Sequence, residues 1–344
     1  MEKTPRNESI LGICGILPGV LLSAFVSGLA VLAEQVEMRL TGRAWIEALV
    51  LAIFIGALCR LALRRPATYD PGIAFSAKYF LEVAIVLLGA GVSAAAIAGL
   101  GLPLIGAIAA VVGLALLASY GIGRGLGLSR RVALLVACGN SICGNSAIAA
   151  TAPVIHADAE DVASSIAFTA VLGMVTVLLL PALVPLLGLS ATGYGVMAGM
   201  TVYAVPQVLA ATAPVSALSI QIGTFVKLVR VLMLGPVIFL LSLASGKAGG
   251  KRPALHRLVP WFILGFLAML AARSAGLIDA ELAAIMGKAA TVLTILSMAA
   301  LGLGIDLTRV MRAGPKVTAT VVLSLAVLAA ASYAMVLLLN LATA

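Results

Sequence analysis

The stretch SALSIQIGTFVKLVRVLMLGPVIFLLSLA, residues 216–244, decides how this chain is read. It is 29 residues of almost unbroken apolar sequence with Lys227 and Arg230 in its interior. At about 1.5 Å per residue the two cations stand roughly 17–21 Å from its start, near the middle of a bilayer whose hydrocarbon is about 30 Å thick. A charge there costs at least about 2.5–3.5 kcal/mol. Their i, i+3 spacing puts both on one helix face, and the stretch holds no acid. Two cations held together in hydrocarbon require an anion, and a transported anion meets the requirement.

The rest of the chain fits that environment. Of 344 residues, 62% are hydrophobic and 10% charged, with mean hydropathy +1.19; soluble domains carry about 25% charged residues. We expect an all-α polytopic membrane protein forming a single transmembrane domain over 1–344, embedded in lipid. The net charge of +9 gathers in short loops, which marks topogenic charge rather than nucleic-acid binding. Cys14, Cys59, Cys138 and Cys143 form no CxxC pair, and His156 and His256 are isolated, so neither a metal nor another cofactor is expected. Residues 10–33 are too long an apolar run for a cleaved signal and read as a first spanning helix.

Apolar runs between charged or Gly/Pro breaks give eleven candidate helices: 10–33, 44–63, 72–92, 101–121, 131–156, 161–187, 193–213, 216–244, 258–276, 281–304 and 316–340. With the N-terminus in the cytoplasm, thirteen basic loop residues fall inside: Arg60, Arg64 and Arg65; Arg124, Arg130 and Arg131; Lys247, Lys251, Arg252 and Arg257; Arg309, Arg312 and Lys316. Three fall outside: Arg39, Arg43 and Arg273. The loop with Asp158, Glu160 and Asp161 is acidic and is placed outside. This bias predicts eleven crossings, N-terminus cytoplasmic and C-terminus outside. The count divides into one leading helix and two five-helix units of inverted topology, helices 2–6 over roughly 44–187 and helices 7–11 over roughly 193–340. No strong internal sequence repeat is evident, so the division rests on counting.

Two of the helices carry polar interruptions. RVALLVACGNSICGNSAIAATAPVI (131–155) concentrates glycines, asparagines and serines between Gly139 and Ser146. That composition predicts a discontinuous helix whose second half starts near Asn145–Ser146 and presents N–H groups to an oxyanion. Asn140, Ser141, Asn145 and Ser146 add side-chain donors. Small-residue helix packing is the plainer account of the same glycines. In GMTVYAVPQVLAATAP (199–214), Pro206 breaks or kinks the helix, and Thr201, Tyr203 and Gln207 are polar at membrane depth.

At these residues the chain resembles the YeiH family of bacterial inner-membrane proteins. CGNSICGNSAIAATAPVI (138–155), TVYAVPQV (201–208), VKLVRVLMLGP (226–236) and MAALGLGIDLTRVMRAGP (298–315) resemble four of its motifs in order and spacing. The resemblance implies a secondary transporter of the kind labelled putative sulfate exporters, among inverted-repeat transporters. Two departures bear on substrate and coupling. Tyr203-Ala204 stands where the family has His-Glu or His-Asp, and Glu82 stands where it tends to have arginine.

Glu82 lies four residues after Lys78, so the two can pair along a helix face; alternatively Glu82 titrates and carries a coupling proton. Asp306 and Lys288 lie nearer helix ends. Tyr69-Asp70 and GLGID (302–306) do not match an intramembrane aspartyl protease, whose two aspartates must face each other at depth. GIGRGLG (121–127) lacks phosphate-loop spacing. The chain is therefore read as a non-enzyme: a secondary transporter, acting as an exporter, of a small anion (sulfate, sulfite or an organosulfonate) by alternating access. Asn140, Ser141, Asn145, Ser146, Tyr203, Gln207, Lys227 and Arg230 would bind substrate. Glu82 and Lys78 would serve coupling to H+ or Na+. The expected location is the bacterial inner membrane, and self-association into a homo-oligomer is left open. The alternatives are a cation–proton antiporter and an uncoupled anion channel.

Overall fold

The computed structural model describes residues 6–41, 47–62, 67–91, 101–244, 260–305 and 315–342, and among them there is helix and turn but no strand. Arg43, Arg64, Arg65, Lys247, Lys251, Arg252, His256, Arg257, Asp306, Arg309 and Arg312 lie outside the described residues. Among the described residues six runs are long and apolar enough to cross a membrane: Gly15–Leu40, Ala67–Gly91, Gly101–Gly125, Ala217–Leu243, Ala280–Gly304 and Pro315–Leu338. Shorter apolar helices occupy Ala48–Leu61, Leu172–Leu187 and Trp261–Ser274.

The chain divides into two units, residues 1–91 with 265–306, and residues 92–264 with 307–344. The first holds α1 (Arg6–Thr41), α2 (Ala48–Ala62), α3 (Ala67–Gly91), most of α12 (Trp261–Ser274) and α13 (Ala280–Gly304). Its helices meet on small residues. A methyl group added at Gly302 of α13 would collide with the Ile53 carbonyl of α2, and one at Gly56 with the Ala299 carbonyl. Such seams replace hydrophobic driving force, which lipid removes, with close backbone approach. Glu82 is buried here and Lys78 is exposed, its ammonium 5.2 Å from the Tyr79 ring centroid. A π-turn spans Ser76–Phe80, the segment that carries Lys78.

The second unit holds α4 (Gly101–Gly125), α5 (Arg130–Cys138), α6 (Asn145–Thr151), α7 (Ala159–Leu179), α8 (Ala191–Thr201), α9 (Val205–Thr212), α10 (Ala217–Leu232), α11 (Leu234–Ala244) and α14 (Pro315–Leu338). Here the structure corrects the sequence reading. Residues 131–156 do not run through as one broken crossing. The chain enters on α5, makes a π-turn over Gly139–Cys143, reverses at Gly144 (φ 66°, ψ −124°) and returns on α6. Arg131, at the start of α5, consequently pairs with Asp158, ahead of α7, at 2.9 Å. In a continuous helix those residues would stand about 40 Å apart. Leu135, Ile148 and Ala152 pack the two limbs together against Ile155, Val162 and Ile166. The acidic loop therefore shares an end with the basic loop that holds Arg131.

Residues 191–215 reverse in the same way. α8 ends in extended backbone at Val202 and Ala204, and α9 restarts with Pro206 in its first turn. Tyr194 Oη, near the start of α8, donates to the Ala211 carbonyl near the end of α9 at 2.7 Å. Ser219 Oγ of α10 donates to Ala191 O at 2.8 Å, so the mouth of this second hairpin lies beside the start of α10. α7, about 31 Å long at 1.5 Å per residue, runs from the mouth of the first hairpin toward that of the second. The two hairpins thus enter the unit from opposite ends.

Candidate functional site

Both hairpins stop mid-unit and leave the same chemical problem there. The inbound limbs, α5 and α8, end in carbonyls that no further helical turn can satisfy, at the negative end of each helix dipole. Lys227 and Arg230 solve it. Both lie on α10 and are fully buried. Lys227 Nζ donates to Ile142 O at 2.7 Å and to Val202 O at 2.8 Å, one carbonyl from each hairpin. Arg230 spreads its fork wider. Nε donates to Ser141 O at 2.7 Å and Nη2 to Asn140 O at 2.5 Å, both on the first hairpin. Nη1 donates to Met200 O, to Val202 O at 3.2 Å and to Gly199 O at 3.4 Å on the second.

Carbonyl dipoles solvate the two cations without cancelling their charge. Among the described residues no carboxylate lies within ion-pair distance of either. The tips are also tied directly, by Tyr203 Oη donating to Asn140 Oδ1 at 2.8 Å. Asn140 Nδ2 and Ser141 Oγ are buried with no hydrogen-bond partner among the described residues. These are donors beside two positive charges, a constellation suited to a small oxyanion.

The structure thus brings Asn140, Ser141, Tyr203, Lys227 and Arg230 together. Asn145 and Ser146 occupy the reversal itself and are exposed, and α6 does start at Asn145. Asn145 Oδ1 accepts from Thr169 Oγ1 at 2.5 Å. Gln207 Oε1 accepts from the Ala204 N–H at 3.2 Å, capping α9, and its amide lies against the bare backbone of Gly173 on α7. Lys78 and Glu82 belong to the other unit.

Thr169 and Tyr194 were missed from sequence. Thr169 had one signal, a hydroxyl in an apolar run, and Tyr194 had none beyond its own hydroxyl. The sequence carries a further signal. LGLS at 126–129 recurs at 187–190, and AATAPV at 149–154 recurs at 210–215, each pair separated by 61 residues. The two motifs bracket the two hairpins.

Residues 18–321 match a family model described as conserved hypothetical protein 698. The chain is 57% identical to a UPF0324 membrane protein of Brucella melitensis over 96% of this chain and 93% of that protein. It is 54% identical to one from Agrobacterium fabrum over 97% and 96% of the two chains, and 36% identical to one from Bacillus cereus over 83% of each. No solved structure matches it.

Proposed function

Because the chain belongs to the UPF0324 family of membrane proteins, the same family as YeiH, we propose that it is a secondary transporter that moves a small oxyanion across the bacterial inner membrane by alternating access. The observation that carries this reading is the pair of buried cations at the meeting point of two helical hairpins, with no carboxylate among the described residues to neutralise them. In lipid, non-helical backbone persists only where it is buried in protein or lines a cavity. Two interrupted hairpins meeting at one depth are the pattern of a substrate site at the midplane.

Nine helical runs then cross the membrane and the two hairpins re-enter from opposite faces. The N-terminus lies in the cytoplasm and the C-terminus outside. Asn140 Nδ2 and Ser141 Oγ donate to the anion, with Asn145 and Ser146 at its entrance. Tyr203 fixes the Asn140 amide, and Gln207 holds the second tip. Lys227 and Arg230 supply the positive potential while their N–H groups hold the tips in place. Sulfate, sulfite and organosulfonates fit this chemistry, with export as the direction. Glu82, buried in the first unit, is the coupling-proton candidate, with Lys78 near it in sequence. A cation–proton antiporter would place a carboxylate at the joint instead.

A thermal-stability screen of the purified protein tests the reading. Sulfate, sulfite, sulfonates, phosphonates, carboxylates, chloride, Na+ and K+ are compared at equal ionic strength. An anion that binds the folded state stabilises it by about 2.7 kcal/mol at a hundred times its Kd, giving a saturable rise in midpoint. A response to Na+ or K+ alone would replace this reading with the antiporter.

A further inference from the structure

The Ser190 backbone N–H donates to Ala342 O at 2.7 Å, and Ser190 Oγ donates to Leu341 O at 2.7 Å. The end of α14 is therefore bonded to the N-cap of α8, although some 150 residues separate them in the chain. We infer that the second unit is an inverted structural repeat whose second copy is circularly permuted, with its seam at Ser190 and Leu341–Ala342.

The first copy runs in chain order: α4, the hairpin α5–α6, then α7. The second copy is α14, the hairpin α8–α9, then α10 with α11. Its first member comes last in the chain. Packing follows this exchange. α4 lies against α14. α7 packs on the second hairpin and on α14, and α10 packs on the first hairpin and on α4. Swapping α4 with α14, hairpin with hairpin, and α7 with α10 exchanges these named contacts for one another.

Local sequence agrees. Each hairpin opens on LGLS. Its glycine has positive φ (Gly127, 82°; Gly188, 60°), and its serine caps the inbound limb, Ser129 Oγ accepting from Val132 N and Ser190 Oγ from Gly193 N. Each hairpin closes through AATAPV, across the end of its return limb. Ahead of each copy the chain carries a related signature, LGAGV at 88–92 and LGLGI at 301–305, followed by Pro103 at the head of α4 and Pro315 at the head of α14. Thr169 and Lys227 are each the eleventh residue of their helix, α7 and α10, and each reaches a hairpin tip. In the first copy Ser129 follows α4 covalently. In the second, Ser190 meets α14 through hydrogen bonds.

Membrane parity explains the cut, given the crossings proposed above. One copy, counted with the two helices of the first unit that precede it, makes four crossings and one re-entrant hairpin, so it begins and ends on one face. Its inverted partner begins and ends on the other face. Joining them head to tail would need an additional crossing. Opening the second copy between α14 and its hairpin puts both cut ends on the face where the first copy finishes, and no additional helix is needed.

The test uses the full chain with Cys14, Cys59, Cys138 and Cys143 replaced by serine. Ser190→Cys with Leu341→Cys should form an intramolecular disulfide under mild oxidation, and neither single variant should. In intact cells a membrane-impermeant maleimide should reach Ser190→Cys and Ala342→Cys from the outside, and Asp158→Cys only after permeabilisation. If serine at position 190 proves indispensable, Thr192→Cys with Ala342→Cys serves as the second pair. Absence of cross-linking in monodisperse protein, or labelling of positions 190 and 342 from opposite faces, would overturn the inference. Neither readout depends on any substrate, so this can fail while anion transport stands, and the reverse.

Discussion

Tyr203, in the turn of one hairpin, donates its hydroxyl proton to Asn140 Oδ1 in the turn of the other at 2.8 Å. It is a side-chain bond made directly between the two tips, and it orients an amide whose Nδ2 has no partner among the described residues. Tyr203→Phe keeps the ring and removes the bond. The expected cost is about 1 kcal/mol, within the range for hydrogen bonds inside membrane proteins. The thermal midpoint should fall by about 1–2 °C, and anion affinity should fall further than stability, because the Asn140 amide loses its orientation. An unchanged anion response would remove Asn140 from the site.

Arg230 and Lys227 are not interchangeable, because only the guanidinium fork reaches carbonyls of both inbound limbs with separate nitrogens. Arg230→Ala leaves the carbonyls of Asn140, Ser141, Gly199, Met200 and Val202 without this donor. Unmet buried polar groups cost about 1–3 kcal/mol each, so little folded protein is expected. Arg230→Lys should fold with a loss of at least about 3 kcal/mol. Yield of monodisperse protein and its unfolding midpoint measure both; wild-type stability in Arg230→Ala would mean that the cations do not hold the tips.

Gly144 reverses the first hairpin with φ 66° and ψ −124°, and a Cβ there would come within 3.2 Å of Tyr203 Cβ. Gly188 also has positive φ, at φ 60° and ψ 38°, but open space surrounds it. Gly144→Ala should therefore cost about 1–3 kcal/mol and shift the tip against Tyr203. Gly188→Ala should cost about 1 kcal/mol and leave anion binding intact. Equal effects in a side-by-side melting experiment would contradict the tip geometry.

Glu47 stands just ahead of α2, and burial, aided by the nearby Glu34 carboxylate, raises its pKa from 4.5 to about 7. The folded state then holds a proton that the unfolded chain releases. The resulting stability is fully present below about pH 4.5 and is lost as pH rises through about 7. Melting midpoints should decline between pH 5 and 7.5, and Glu47→Gln should flatten that segment. A variant that keeps the full decline would assign it to another group.

Much of the site was legible in sequence, because charge and composition inside an apolar run have few meanings. Lys227 and Arg230 marked the depth, and Gly139–Ser146 and Pro206 marked the interruptions. Reversal was not legible. Glycine and asparagine permit either a broken crossing or a turn back, and the pairing of Arg131 with Asp158 separates the two only in three dimensions. Nor does the charge bias help. Removing two crossings together leaves every basic loop on its original face, so thirteen inner cations fit nine crossings as well as eleven. The destination of the cations was also hidden, since carbonyl acceptors appear only once both limbs end beside α10.

Solute counterflow in proteoliposomes addresses transport itself. Vesicles loaded with unlabelled sulfate, sulfite or a sulfonate and diluted into a trace of the labelled anion should accumulate label transiently and saturably, and Tyr203→Phe should require more substrate to do so. Folded, reconstituted protein that gives no counterflow with any oxyanion, or flux that never saturates, would contradict the account.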